Sequence, residues 1–366
     1  MSLRRFSIFW PLLIMLVAAL WLAQSLGGLS GPGVDLAMRA WPSLLVAAGL
    51  ILLLGRRIRF GNMLAVVLAV VLVGGVYAVA FSQAGTHLAN DNHKPFTQVV
   101  DPAIKTVKVV INSLATEIDI VPGDSALPAV TGEFVGSKAS VINSDYQVDG
   151  TNGTFTLDET RASVIPSLES LGRGTLKLSL PVATQLTQLS VSVTGQSGDV
   201  TFDAGGTVLS DLTIQANEGN VTINTLPASL TAMTVVSPAG TVKMGTLPAS
   251  LATLAITTKG GADSPLDLDA SAAALQNLSI AGGASNVTLK VPDKPGLIGD
   301  IKTSGTVTIT VPPDIAANFK LVGNAVNSPT YNQGDYILNI DKVLVSRRSS
   351  QSQMQITVDA AQVTVQ

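Results

Sequence analysis

The 366-residue chain has no cysteine, which removes disulfides, thiolate zinc sites and thiol nucleophiles together. A cysteine-free chain can fold in an oxidising or a reducing space, so its compartment must be read from topology. Only two histidines occur, His87 and His93, both ahead of the strand-like region, so a Ser-His-Asp site there has no base. Charge is scarce: 13% of residues are charged, about half the usual share of a soluble domain. The formal charge of −3 carries no basic signal, which argues against nucleic acid as a partner. No arginine lies between Arg173 and Arg347, and no amphipathic pattern of ten or more helical residues follows Pro95.

Long apolar runs are confined to the first quarter, and they account for the mean hydropathy of +0.42. Residues 6–26 carry no charge and would span roughly 31 Å as a helix, the thickness of a bilayer core. A second span is predicted over about 36–55, with Arg39 snorkelling at its edge, and a third over 62–82. The first span exceeds a signal-peptide apolar core and lacks a small-residue cleavage motif at Trp21-Leu22-Ala23, so it reads as retained. Arg4 and Arg5 precede the first span, and Arg56, Arg57 and Arg59 lie between the second and third. The positive-inside rule then places the N-terminus in the cytoplasm and everything after the third span outside it, a multi-pass cell-membrane protein whose first partner is the lipid bilayer.

This region contains a duplication: Trp10-Pro11-Leu12-Leu13-Ile14 returns as Trp41-Pro42-Ser43-Leu44-Leu45. Tryptophan favours the membrane interface and proline the first turn of a helix, which explains either copy alone. Two copies, each opening a leucine-rich helix and the second followed by a short basic loop, resemble the LiaI/LiaF-like transmembrane region of bacterial envelope-stress proteins. The resemblance covers about residues 6–57.

Residues 84–98 are polar and read as a juxtamembrane tether. From Val99 onward strand-like alternation dominates, as in Val107-Lys108-Val109-Val110-Ile111 and Leu176-Lys177-Leu178-Ser179-Leu180. Between about 185 and 311 the chain repeats. One strand opens each unit at Leu189, Leu212, Met233, Leu254 and Leu278, and a second follows, as in Val200-Thr201-Phe202 and Val221-Thr222-Ile223. Leu-Pro-Ala-Ser-Leu occurs at 226–230 and again at 247–251. Two strands and two corners per unit fit one coil of a right- or left-handed β-solenoid. The rival is a leucine-rich-repeat horseshoe, suggested by Leu209, Leu251 and Leu275, but its usual asparagine position is filled once, by Asn217, and a second strand replaces its convex segment.

The expected fold is therefore a three-helix membrane region over 1–83, the tether, and an all-β domain. That domain comprises an N-terminal β part (99–184), a β-solenoid with coils of about 21 residues (185–311) and a C-terminal β cap (312–366). Thr201, Thr222, Lys243, Asp267, Thr288 and Thr308 are expected in one outward ladder, with Lys243 and Asp267 as neighbours. Gly305-Thr306-Val307-Thr308-Ile309-Thr310-Val311-Pro312-Pro313 resembles the closing element of the toast-rack or adhesin-like β domains that accompany LiaF-like membrane regions.

Candidate metal ligands are His87, Asp91 and His93 in the tether, and Asp263, Asp267 and Asp269 on one coil. The first set lacks preorganisation and reads as solvated linker. The second reads as solvated turn residues, since the calcium-binding Gly-Gly-x-Gly-x-Asp repeat is absent and no arginine stands near to assist polysaccharide cleavage. No catalytic residue and no cofactor are expected. Asn152, Asn220, Asn277 and Asn286 open glycosylation sequons that an Asn-turn followed by a Thr or Ser strand produces automatically.

The leading expectation is a non-enzymatic, membrane-anchored sensor or scaffold of the cell envelope; the LiaF-like resemblance implies a regulatory role through a membrane histidine kinase or another envelope protein. The alternative is a surface adhesin or structural module that binds polymers or proteins along its ladder faces, and a homo-oligomer is compatible with either. A carbohydrate-active β-helix enzyme is the remote third.

Overall fold

The computed structural model describes residues 92–366 except 125–127, 138–139, 162–172, 183–184, 262, 328 and 349–353. The three expected membrane spans lie outside the described residues. Among those described there is no α-helix, and no helix long and apolar enough to cross a membrane; the one helical element is a 3-10 turn, Gly323–Val326. The remaining regular structure is strand, so the region after Val99 is an all-β domain.

The first six strands are β1 (Asn92–Val99), β2 (Thr106–Pro122), β3 (Ala129–Gly136), β4 (Ser140–Asp149), β5 (Asn152–Arg161) and β6 (Gly174–Leu180). Strands then alternate between two walls: β7 (Gln188–Ser197), β8 (Val200–Asp203), β9 (Leu209–Ala216), β10 (Val221–Thr225), β11 (Ala232–Ser237), β12 (Val242–Lys243), β13 (Thr253–Thr258), β14 (Leu266–Asp269), β15 (Asn277–Gly283), β16 (Val287–Lys290), β17 (Ile298–Thr303) and β18 (Thr306–Thr310). Last come β19 (Ala317–Val322), β20 (Thr330–Tyr331), β21 (Tyr336–Leu338), β22 (Val343–Ser346), β23 (Met354–Asp359) and β24 (Gln362–Val365).

The odd-numbered strands β7 to β17 are parallel neighbours in one front wall. In the back, β8, β10 and β12 form one parallel run and β14, β16 and β18 another. Alternation assigns the faces: Met233 and Val235 of β11 are buried while Thr234 and Val236 face out. Inward residues stack rung on rung, Leu212 against Met233 against Leu254 against Leu278. A single hydrophobic cluster takes residues from both walls, among them Val235 and Ile256 in front and Val221 and Leu268 behind.

The corners are held by polar ladders. Asp199 Oδ1 accepts from the Asn220 amide N–H at 2.9 Å, and Asn220 Oδ1 accepts from the Thr241 N–H at 3.0 Å and its hydroxyl at 2.9 Å. Asn286 repeats the motif with Thr306. At the opposite corner the two copies of Leu-Pro-Ala-Ser-Leu turn alike: Ser229 donates to Leu209 O at 2.8 Å and Ser250 to Leu230 O at 2.6 Å. These bonds satisfy backbone groups that would otherwise be stranded where the strand ladders stop.

Spatial order departs from chain order at both ends. The 17-residue β2 lies between β5 and β7 in the front wall, then bends and continues between β6 and β8 behind. Glu159 holds that bend: it is buried, and its Oε2 accepts from the N–H groups of Leu114 (2.7 Å) and Ala115 (3.1 Å) and the hydroxyls of Ser113 (3.3 Å) and Thr116 (2.8 Å). Replacing Glu159 with alanine strips the acceptor from two backbone and two hydroxyl donors and is expected to cost about 3 kcal/mol, whereas Glu159→Gln keeps an acceptor and costs about 1 kcal/mol. Urea midpoints of the two variants check the ordering; equal midpoints would contradict it.

Four sequence expectations need correction. Residues 92–98 of the expected tether belong to β1, which pairs antiparallel with β3. Pro95 disguised it, but an edge strand tolerates proline, and Phe96 anchors it with its ring 6.0 Å from that of Phe155. Lys94 Nζ reaches across to Ile142 O at 2.6 Å. Second, Leu189 stands opposite Leu209 rather than Leu212; a register shift after Leu189 puts Val191 against Leu212. Third, the outward ladder breaks between Lys243 and Asp267. Lys243 faces Thr222 and Asp267 faces Thr288, and the two back runs meet only at a bridge between Thr246 and Asp269, because β12 stops after two residues. Fourth, the expected C-terminal cap divides. β19 to β22 close the end, while β23 inserts between β17 and β19, and β24 between β18 and β20.

Candidate binding face and groove

The outward positions of the front wall form straight rows because the parallel ladders hold register. One row runs Ser192, Thr213, Thr234, Ala255, Ser279, and the next Thr194, Gln215, Val236, Thr257, Ala281. Every one of these side chains is half-buried or exposed, and none is charged. Asp211 is the one charged outward residue on the odd-numbered strands β7 to β15; Ser210 donates to its carboxylate at 2.7 Å and Gln188 at 3.2 Å. With strands spaced at about 4.8 Å, five of them give a regular platform of hydroxyls, amides and methyls roughly 19 Å across.

The second row continues beyond Ala281 to Lys302 on β17 and Asp359 on β23, and there it enters a groove of about 530 Å3. Thr257, Thr258, Ala281 and Gly283 line one side, Lys302, Thr303 and Ser304 the middle, and Asn324, Asp359, Ala360 and Ala361 the far side. The fold consumes three of the hydroxyls: Thr258 donates to Gly240 O, Thr303 to Ser285 O, and Ser304 to Gly283 O. Gly323 adopts φ +63°, and an added Cβ there would come within 2.5 Å of Asp359 Oδ1, so a glycine leaves room for that carboxylate beside Asn324.

The residues singled out in the sequence are scattered. Trp10, Pro11, Trp41, Pro42, Arg4, Arg5, Arg56, Arg57, Arg59, His87 and Asp91 lie outside the described residues. His93 is exposed on β1, with Nδ1 3.3 Å from Glu133 Oε1. Asp263 is exposed in a turn and Asp267 faces outward opposite Thr288. Asp269 is occupied: the Ser271 hydroxyl donates to it at 2.6 Å, the Ser271 N–H at 3.2 Å and Lys290 Nζ at 3.1 Å. Among the described residues no three carboxylates or histidines gather as a metal site. Alternation could have flagged Lys302 as outward, but nothing local tied it to Asn324 or Asp359.

The hydrogen bond from Ser271, then Lys290, holds the Asp269 carboxyl below its ordinary value. A depressed carboxylate contributes stability that is present above its unfolded pKa, near 3.8, and is lost as pH falls through the folded value. Asp269→Asn should therefore narrow its stability gap to the parent below about pH 4, which thermal unfolding between pH 2.5 and 7 would show; a gap that widens in acid would contradict the assignment.

No family model and no curated protein matches the chain. The LiaI/LiaF-like resemblance rests on residues outside the described region. Among solved structures the chain is similar to a candidate adhesin of Bacteroides fragilis, at 11% identity over 76% of this chain and 99% of that one, with a TM-score of 0.39. It is similar also to a candidate adhesin of Parabacteroides merdae (11% identity, 76% and 98% covered, TM-score 0.32) and a candidate cell adhesion protein of Clostridium sporogenes (13% identity, 75% and 99% covered, TM-score 0.29).

Proposed function

We propose that the described β unit is a non-catalytic binding module, a β-solenoid with coils of about 21 residues whose front wall presents a surface to an extended, uncharged polymer of the cell envelope. The observation behind this is the pair of in-register rows from β7 to β15, which hold ten outward side chains and no charge. Only 13% of the chain is charged; Lys108 on β2 and Asp300 and Lys302 on β17 lie on strands flanking the platform, and Asp211 on β9 is engaged by Ser210 and Gln188. A polymer with a regular repeat can meet such a platform at several rungs at once, so that weak contacts add without each strand needing its own pocket. Ladder pairings 21 residues apart, as between Asp199 and Asn220, support the coil length.

On this reading residues 1–83 anchor the module, with the N-terminus cytoplasmic and the β unit outside. The regulatory role implied by the LiaF-like resemblance would act through those segments, whereas the front wall favours binding.

Thr234→Lys tests the proposal by placing an ammonium at the centre of the platform. It should lower retention on immobilised neutral polysaccharides at least tenfold and change stability by no more than about 0.5 kcal/mol, as surface substitutions do. Thr222→Lys on the back wall should leave retention unchanged. Equal retention of both variants and the parent would sink the reading.

A further inference from the structure

Four polar side chains line the groove without any side-chain partner among the described residues. Among the described residues, Thr257, Lys302, Asn324 and Asp359 make no side-chain hydrogen bond or ion pair, whereas the neighbouring hydroxyls of Thr258, Thr303 and Ser304 are all spent on backbone carbonyls. Lys302 and Asp359 even stand directly opposite each other across β17 and β23 without closing an ion pair. The four come from strands β13, β17 and β23 and from the 3-10 turn, so the groove exists only when the C-terminal strand β23 is seated in the wall.

We infer that this groove binds the end of a neutral oligosaccharide chain whose remaining units lie along the row Ala281, Thr257, Val236; the inference rests on the binding-module reading above. The chemistry follows from the groups. One ammonium and one carboxylate sum to no charge, and a ligand bearing a net charge would leave one of them facing its own sign. A polyol answers both: one hydroxyl donates to the Asp359 carboxylate and another accepts from Lys302, each a charge-assisted bond, while the Asn324 amide and Thr257 hydroxyl both donate and accept. Ala281, Ala360, Ala361 and Gly283 supply small apolar contacts suited to the C–H faces of a sugar ring. The volume of about 530 Å3 lies within the range of small-molecule sites. A peptide fits less well, because the backbone of β17 and β23 is already paired on both edges and offers no ladder to extend.

The test is calorimetric titration of the full chain with neutral linear oligosaccharides of one to six hexose units, with a uronate oligomer and with an uncharged hexapeptide. The neutral series should bind, more tightly as length increases. Lys302→Met and Asp359→Asn should each weaken the longest member at least tenfold, and Lys243→Met, an exposed cation on the back wall, should not. Thr234→Lys should remove the gain with length while leaving the shortest binder unaffected. Loss of binding in Thr234→Lys with none in the groove variants overturns this inference and leaves the platform reading standing. Loss in the groove variants with no effect of Thr234→Lys supports the groove and sinks the platform. No heat from any neutral sugar, or tighter binding of the uronate or the peptide, overturns the inference.

Discussion

Deleting residues 354–366 is expected to abolish cooperative folding of the β unit, although the segment is the last in the chain. β23 and β24 bury Met354, Ile356, Val358, Val363 and Val365, all at 2% exposure or less. At about 2 kcal/mol for each such side chain, their burial contributes on the order of 10 kcal/mol, comparable with the whole stability of an ordinary domain. Losing a terminal cap would bare one face of a stack. Losing this coil opens ladders on both sides, since β17 and β19 flank β23, and β18 and β20 flank β24. Far-ultraviolet circular dichroism during urea unfolding should show no sharp transition for the truncated chain, and a midpoint near that of the full chain would contradict the interleaving. Because the chain lacks cysteine, the order can also be read by oxidation: Asp300→Cys with Thr357→Cys should cross-link, and Asp300→Cys with Lys320→Cys should not.

The second large effect falls on a substitution that adds one carbon. A Cβ on Gly219 would lie 1.8 Å from Gly198 O, and one on Gly240 would lie 2.1 Å from Gly219 O. These glycines recur at one corner of successive coils, where each backbone rests on the carbonyl of the coil before. No side chain can rotate away from a backbone oxygen, so Gly219→Ala must part the coils or distort the turn. We expect a loss of at least about 4 kcal/mol, the range reserved for core disruption. Gly245 provides the control: it meets nothing within 4 Å and is exposed. Gly245→Ala should be neutral or stabilising by up to about 1 kcal/mol, through the lower entropy of the unfolded chain. Urea midpoints at equal slope decide; a Gly219→Ala variant within 1 kcal/mol of the parent would mean that the corners do not approach as described.

The repeat was legible because local chemistry recurs with it. Leu-Pro-Ala-Ser-Leu turns the same way twice, and the alternation around Met233 and Leu254 reports the same buried face that the registers display. What alternation cannot report is which strand lies next door. β2 and β23 carry the same pattern as strands that follow chain order, so their insertion between other coils left no local trace. The shift after Leu189 was hidden for a related reason: leucines at 189, 209 and 212 are interchangeable as inward residues. The break between Lys243 and Asp267 depends on where β12 stops, which turn residues influence but do not announce. The groove was the least legible feature, since Thr257, Lys302, Asn324 and Asp359 meet only once the coils are stacked and the last strand is in place. The acidic cluster that the sequence made conspicuous does not gather in the fold: Asp263 and Asp267 are exposed, and Asp269 is taken up by Ser271 and Lys290.

The front wall as the binding surface is tested most directly by cysteine protection, for which the cysteine-free chain is already suited. Single substitutions Thr213→Cys, Thr234→Cys and Ser279→Cys on the platform, and Thr201→Cys, Thr222→Cys and Thr288→Cys on the back, would be labelled with a maleimide with and without saturating neutral polysaccharide. The platform positions are predicted to react several-fold more slowly with the polymer present, and the back positions at unchanged rates. Protection of the back positions, or of neither set, would contradict the assignment of the front wall as the binding surface.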